Sequence, residues 1–373
     1  MDTELADGLA EISLEEFDVL NAEHKRPIMK SVEGAHSILL PVNSVTTFNK
    51  NLFAHDQPIS SWKVYKPKKG ETLKHVAKKF NIDKVFETLE EAIEDQECIF
   101  DLALPPANLL DVVSQLPEDS FAILQKPLGR TLEEGREILK TCHEKNITAS
   151  MNFQLRFSPT MLPLYEAIDK GLLGDLVELE VHVNVHTPWE LWPVLKTLDR
   201  VEVPLHSIHY IDWIRSVLGN PAGVYCQSVK HPKVTELADC RTSAIFNYGD
   251  QIRCCMSINH SHSFGKKHQN GTIRLEGTEG AALVTLGLLM NYPEGEPEKL
   301  EIITKGTDWT EVDIQGRWFP DAFIGVMSNM QRFKNGEDEK LISPIEDSIH
   351  TMSLVDACGQ SSLDGGIKPD YTK

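Results

Sequence analysis

The chain has 373 residues, of which 37 are Lys or Arg and 56 are Asp or Glu, giving a formal net charge of -19 at pH 7. That balance argues against nucleic acid or an anionic membrane surface as partner, since both repel an acidic surface. The length passes the size at which one core stops growing, so two domains are expected; no apolar run nears the roughly 20 residues of a membrane span. An acidic start (Asp2, Glu4, Asp7) lacks the basic and apolar regions of a signal peptide, so a cytoplasmic protein is expected.

Residues 1–27 read as an amino-terminal extension with a helical acidic stretch over 14–20. A first strand is expected over 37–42, followed by Asn43 and Ser44 and a helix over 48–55. Gly-x-Gly-x-x-Gly, which lets a backbone approach a pyrophosphate, does not follow that strand. Asn43 and Ser44 are the candidates for phosphate contact there, since short polar side chains both cap helices and bind anions. A second strand over 62–65 runs into Lys66, Lys68 and Lys69. A basic strand end suits the 2′-phosphate of NADP, which is slightly favoured over NAD on this ground. The alternative is a solvated charge run ahead of a helix over 72–80.

The strand-like run 98–104 ends at Pro105 and Pro106, a helix over 107–115 follows, and a buried run then ends in Gln125 and Lys126. This is one βαβ unit, and parallel sheets bind ligands at the carboxyl ends of their strands. Pro105, Pro106, Gln125 and Lys126 are therefore expected to border one cofactor crevice. A lysine partly buried there loses preference for its charged form and becomes able to exchange protons near neutral pH. A helix with Glu133 and Glu134 in its first turn and a strand over 147–153 complete a Rossmann-like domain over 28–153.

The second domain is expected over 154–373. Val177, Leu179, Val181, Val183 and Val185 alternate with polar residues, a period-two signal for a long sheet strand. Asn152 and Arg156, at the junction, are candidates for substrate contact, Arg156 toward a carboxylate or phosphate; an ion pair between domains explains it as well. Trp189 and Trp192, with the run 317–321, offer aromatic faces for a polyhydroxylated ring, and core packing explains them equally. On the helix from His206, the side chains His206, His209 and Asp212 or Trp213 recur at helical spacing, so they can share one face turned toward the cleft. His182, His186, His260 and His262 lack the spacing of a metal motif, so no metal is expected. Seven cysteines without a Cys-x-x-Cys pair read as reduced structural thiols.

The order of these short motifs over residues 60–365 resembles the Gfo/Idh/MocA family of NAD(P)-dependent sugar and cyclitol dehydrogenases. The resemblance rests on the strand ending in Pro105 and Pro106, the Lys126-Pro-Leu turn, the Asn152 to Pro159 run and the His209 helix. It implies an α/β chain: a Rossmann-like domain joined to a domain with a large open mixed sheet, whose exposed face makes a homodimer or homotetramer. It further implies that Lys126 is the catalytic acid/base, with His209 relaying the proton or orienting the substrate oxygen. Two departures stand out: Gln125 replaces a glutamate, and Leu205 replaces an aspartate four residues before His209, for which His206 is the natural substitute. The expected function is hydride transfer between a nicotinamide and a sugar, sugar acid, cyclitol or related polyol. A catalytically silent binding or assembly subunit of the same fold is the alternative.

Overall fold

In β2 (Phe121–Leu124), Ala122, Ile123 and Leu124 are all buried, as expected of an inner strand of a parallel sheet whose two faces are both covered. It pairs in parallel with β1 (Ile99–Leu102) on one side and β3 (Thr148–Met151) on the other. The structure is a computed structural model describing residues 1–21, 38–55, 59, 68, 70–82, 84–94, 98–292 and 295–366. Among these, the chain is an α/β fold with a parallel sheet β1-β2-β3 and a large mixed sheet.

The amino-terminal part holds α1 (Thr3–Ala10), α2 (Leu14–Leu20), α3 (Val45–Ala54), α4 (Leu73–Phe80) and α5 (Leu89–Ile93). Thr72 caps α4 through its hydroxyl and closes a capping box with His75. The first strand expected over 37–42 is corrected: residues 38–41 are irregular and lead through a turn into α3. Asn21, fully buried, accepts from the Leu39 N–H at 2.7 Å and donates to the Leu39 carbonyl at 2.8 Å. It thereby occupies the two main-chain groups that a neighbouring strand would use. Ile38 and Leu40 pack beside Ala6, Leu9, Phe17 and Phe48 in a cluster separate from the main core. The strand expected over 62–65 lies outside the described residues.

The βαβ reading holds. After β1, Pro105 precedes α6 (Pro106–Gln115) and Pro106 takes its first position, where a missing N–H leaves no donor unsatisfied. Thr131 caps α7 (Leu132–Glu144), with Glu133 and Glu134 in its first turn. Gly135 in α7 lies so close to the loop after β2 that a Cβ would meet the Leu128 carbonyl oxygen at 2.8 Å.

Beyond α8 (Met161–Asp169), the strands β4 (Leu176–Asn184), β5 (Gly223–Val229), β6 (Arg241–Asn247), β7 (Arg253–Asn259), β8 (Asn270–Gly277), β9 (Gly280–Thr285), β10 (Lys299–Thr304) and β11 (Thr310–Glu311) form one sheet. Its order is β11-β10-β9-β8-β4-β7-β6-β5, with β4 and β7 parallel. Leu179, Val181, Val183 and Val185 are 0–1% exposed, whereas His182 faces out. A one-residue slip would expose four aliphatic side chains, each worth roughly 1.5–3 kcal/mol when buried, so this register is strongly specified. The outer face carries Tyr225, Val229 and Ile245 exposed among polar residues.

Three further helices are α9 (Ile208–Leu218), α10 (Trp318–Lys334) and α11 (Ile345–Asp364), of which α11 touches both sheets. Residues 208–215 of α9 are all buried, including charged ones, as for a helix enclosed on every side. Helix α11 packs on β5, α9, α7 and β3. Just before it, Ser343 covers the free edge of β3: the Met151 N–H donates to its carbonyl at 2.8 Å and its hydroxyl donates to the Met151 carbonyl at 2.7 Å.

Candidate functional site

Lys126 sits two residues past the end of β2, and its Nζ donates to the main-chain carbonyl of Leu205. Burial pushes the amine down from the ordinary lysine value to about 8. At pH 7 that leaves roughly 10% of the amine neutral, against about 0.03% for an ordinary lysine. The carbonyl belongs to a π turn, Val203–Ser207, that feeds directly into α9. Single π turns of this kind concentrate at functional sites.

From that turn and the start of α9, His206 and His209 approach Lys126. Burial, aided by the Lys126 charge, holds His209 well below the ordinary histidine value. His206 is lowered likewise, first by burial and then by His260, Lys126 and His209. Both rings are therefore neutral at pH 7. The His209 ring packs edge-on against Phe153 at 6.5 Å and Trp318 at 5.8 Å, while its Nδ1 is buried without a hydrogen-bond partner. The His206 ring lies 5.0 Å from Trp189 and 4.5 Å from His260. His260 in turn shares a hydrogen bond of 2.8 Å with the Thr187 hydroxyl, and its Nε2 lies 3.5 Å from buried Glu202.

On the other side of Lys126, the Asn152 amide donates to Gln125 Oε1 at 3.0 Å, and Gln125 reaches Asp101 at 3.5 Å. Asn152 Oδ1 is buried and unpartnered. Parallel pairing of β1 with β2 sets Pro105 and Pro106 beside this line at the carboxyl edge. Lys126, Gln125, Asn152, His206, His209 and Trp189 thus form one constellation.

Other expected site residues are elsewhere. Arg156 and Asp212 are corrected as substrate contacts: Arg156 Nε and Nη2 each donate to the Asp212 carboxylate at 2.7 Å, and Nη2 also reaches Asp347 at 2.8 Å. With Nη1 on the Ile342 carbonyl at 2.7 Å, the guanidinium is engaged inside the protein. Burial acts to raise Asp347, but hydrogen bonds from Arg215 and Arg156 overcome it and leave that carboxyl below its ordinary value. Trp192 is 38% exposed and faces Tyr292 at 6.3 Å rather than the histidines. Asn43 and Ser44 stand in the turn before α3, whose Phe48 belongs to the amino-terminal cluster, and among the described residues no sheet strand leads into that turn. Lys68 is exposed, with its N–H on Glu71 at 2.6 Å, and Lys66 lies outside the described residues. A cavity of about 780 Å³ between the amino-terminal helices and α10 is lined by Thr3, Asp18, Tyr165 and Arg332. Lys126, His206 and His209, each lowered chiefly by burial, are not among the residues that line it.

Among the described residues, no group of three His, Cys, Asp or Glu is placed to hold a metal ion. His182 and His262 serve asparagines: Asn270 approaches His182 Nδ1 at 2.9 Å and Asn184 approaches His262 Nδ1 at 3.3 Å. No helix among these residues is long and apolar enough to cross a membrane. Sequence reasoning missed Glu202, Ser207 and the Leu205 carbonyl. A glutamate two residues before a proline carries no signal of burial, and a main-chain carbonyl has no sequence signature.

Residues 161–283 match the family model of the GFO/IDH/MocA C-terminal domain. An uncharacterized oxidoreductase of Schizosaccharomyces pombe is 30% identical over 103 residues, 27% of this chain and 28% of that protein. The uncharacterized oxidoreductase YhhX of Escherichia coli is 31% identical over 100 residues, 26% and 28% of the two chains. The matched part therefore spans just over a quarter of either relative's length. Among solved structures, an Agrobacterium radiobacter oxidoreductase in complex with NAD+, L-tartaric acid and magnesium aligns at TM-score 0.65, with 17% identity over 79% of this chain and 86% of that one. An inositol dehydrogenase homolog from Azotobacter vinelandii, complexed with NADH and myo-inositol, aligns at TM-score 0.61, with 13% identity over 76% and 81%. Residues 161–283 thus match the C-terminal domain of the GFO/IDH/MocA family, and the fold is shared with these oxidoreductases.

Proposed function

We propose that the chain is an NAD(P)-dependent oxidoreductase that moves a hydride between a nicotinamide and a CH–OH carbon of a sugar, sugar acid, cyclitol or related polyol. The observation that carries this reading is Lys126: a lysine brought to about 8 at the carboxyl edge of a parallel sheet, beside two neutral histidines. The nicotinamide end of the cofactor fits the residues there. Buried, unpartnered Asn152 Oδ1 is an acceptor for a carboxamide N–H, and Pro105 and Pro106 give an apolar border. When bound, the cofactor supplies the hydride chemistry itself.

This chain's residues supply the rest. Neutral Lys126 takes the proton of the substrate hydroxyl on its lone pair while one of its two N–H groups stays on Leu205, and His209 orients that oxygen through its free ring nitrogen. Trp189 and Trp318 pack edge-on against His206 and His209 and hold the two rings beside Lys126. Residues 28–153 are read as the cofactor domain and 154–373 as the substrate domain, in a cytoplasmic homodimer or homotetramer joined through the outer sheet face. Full-length protein is titrated with NADPH and NADH, following energy transfer from Trp, and then screened for turnover of polyols and sugar acids. Nucleotide binding with turnover supports the enzyme.

A second reading, the silent subunit, draws on the irregular 38–41 run: among the described residues no glycine-rich turn follows a strand to cradle a pyrophosphate. Failure of both nucleotides to bind at millimolar concentration would favour it.

A further inference from the structure

The π turn ahead of α9 is an irregular piece of backbone that a specific set of side chains holds in place. In an ordinary α-helix, residues five apart point about 140° away from each other. A π turn, wound for i to i+5 bonding, brings such residues onto one face. Glu202 and Ser207 are five apart, and the Ser207 hydroxyl donates to Glu202 Oε1 at 2.6 Å. Both are 0% exposed. Asp239 anchors the start of the turn by accepting the Glu202 N–H at 2.7 Å. His260, on the far side, has its Nε2 within 3.5 Å of Glu202.

The turn also separates the two halves of Leu205. Its side chain packs with Trp189, Leu195, Val201, Leu237 and Cys240, while its carbonyl accepts from Lys126 Nζ. We propose that the Glu202–Ser207 hydrogen bond holds the π turn that places the Leu205 carbonyl on Lys126, which makes Glu202 and Ser207 positioning residues for Lys126. This inference rests on Lys126 as the acid/base group proposed above. Its consequence is directional: an amine with one N–H fixed on a main-chain oxygen keeps its lone pair and second N–H turned away from that oxygen. The ionisable groups facing that amine from the turn and from α9 are His206 and His209.

The test uses full-length protein with lysine isotope-labelled at the ε carbon, and the Lys126 resonance is assigned by its loss in Lys126→Met. A carbonyl acceptor favours the ammonium form, so removing it lowers the titration midpoint. In Ser207→Ala, where no charge changes, the midpoint falls by about half a unit or more. Glu202→Ala gives a similar fall. Glu202→Gln, whose amide oxygen still accepts from Ser207, stays at the wild-type midpoint. A midpoint that holds or rises in Ser207→Ala overturns the proposal, as does a fall in Glu202→Gln equal to that in Glu202→Ala, which would assign the effect to charge. Should Glu202→Ala fail to fold, Ser207→Ala and Glu202→Gln decide alone. The readout involves no turnover, so a fully active Lys126→Met would remove the enzyme mechanism and leave this result standing.

Discussion

Arg156 and Asp212 face each other across the interior through two hydrogen bonds of 2.7 Å, with 6% and 0% of their side chains exposed. The pair ties the segment after β3 to α9, and Asp347 extends it to α11. It therefore sets where α9 enters the site, rather than meeting the substrate itself.

Removing one partner leaves the other buried and charged. Asp212→Ala or Arg156→Met is expected to destabilise the fold by roughly 3–5 kcal/mol, and chemical denaturation measures it. If Arg156 instead bound an anionic substrate, Arg156→Lys would raise KM for a sugar acid far more than for a neutral polyol. Equal effects on both are expected.

Lys126→Met keeps the apolar stem and removes the exchanging amine. Turnover should fall by roughly 100-fold or more, with nucleotide affinity largely retained. Single-turnover and binding measurements on the same preparation check both, and wild-type turnover in the variant would defeat the mechanism.

The depressed lysine also sets a pH dependence. Oxidation needs the neutral amine, so its kcat/KM should rise as pH passes through about 8 and level off above it. Reduction needs the ammonium, and should fall over the same interval. His209→Asn should lower turnover less than Lys126→Met does and leave the midpoint near that of the wild type, because the neutral ring contributes no titration in this range. A profile flat between pH 7 and 9 (roughly one unit either side) would contradict the assignment.

Cofactor choice is decided at the basic run. If Lys66, Lys68 and Lys69 meet a 2′-phosphate, replacing all three by Ala should weaken NADPH binding and spare NADH. Unchanged affinities in fluorescence titration would return the run to a solvated charge cluster.

Asn21→Leu deprives the Leu39 main chain of both its partners. The amino-terminal cluster should lose about 1–3 kcal/mol, seen as earlier proteolysis within residues 1–55 while turnover at Lys126 persists.

The sequence by itself carried the local order: β1, two prolines, α6, β2 and Lys126 are legible because apolar runs, breakers and caps act over a few residues. The same holds for the period-two pattern of β4 and for the shared face of His206 and His209. What sequence could not decide is which long-range partner each polar group takes. Arg156 was equally suited to a substrate anion and to an internal carboxylate, and only the approach of α9 and α11 selects Asp212 and Asp347. The run at 38–41 has strand composition, yet Asn21 occupies its hydrogen-bonding groups. Leu205 reads as a lost acid, and the folded chain instead turns its main-chain oxygen onto Lys126, a contact between residues 79 apart that exists only once the π turn is wound.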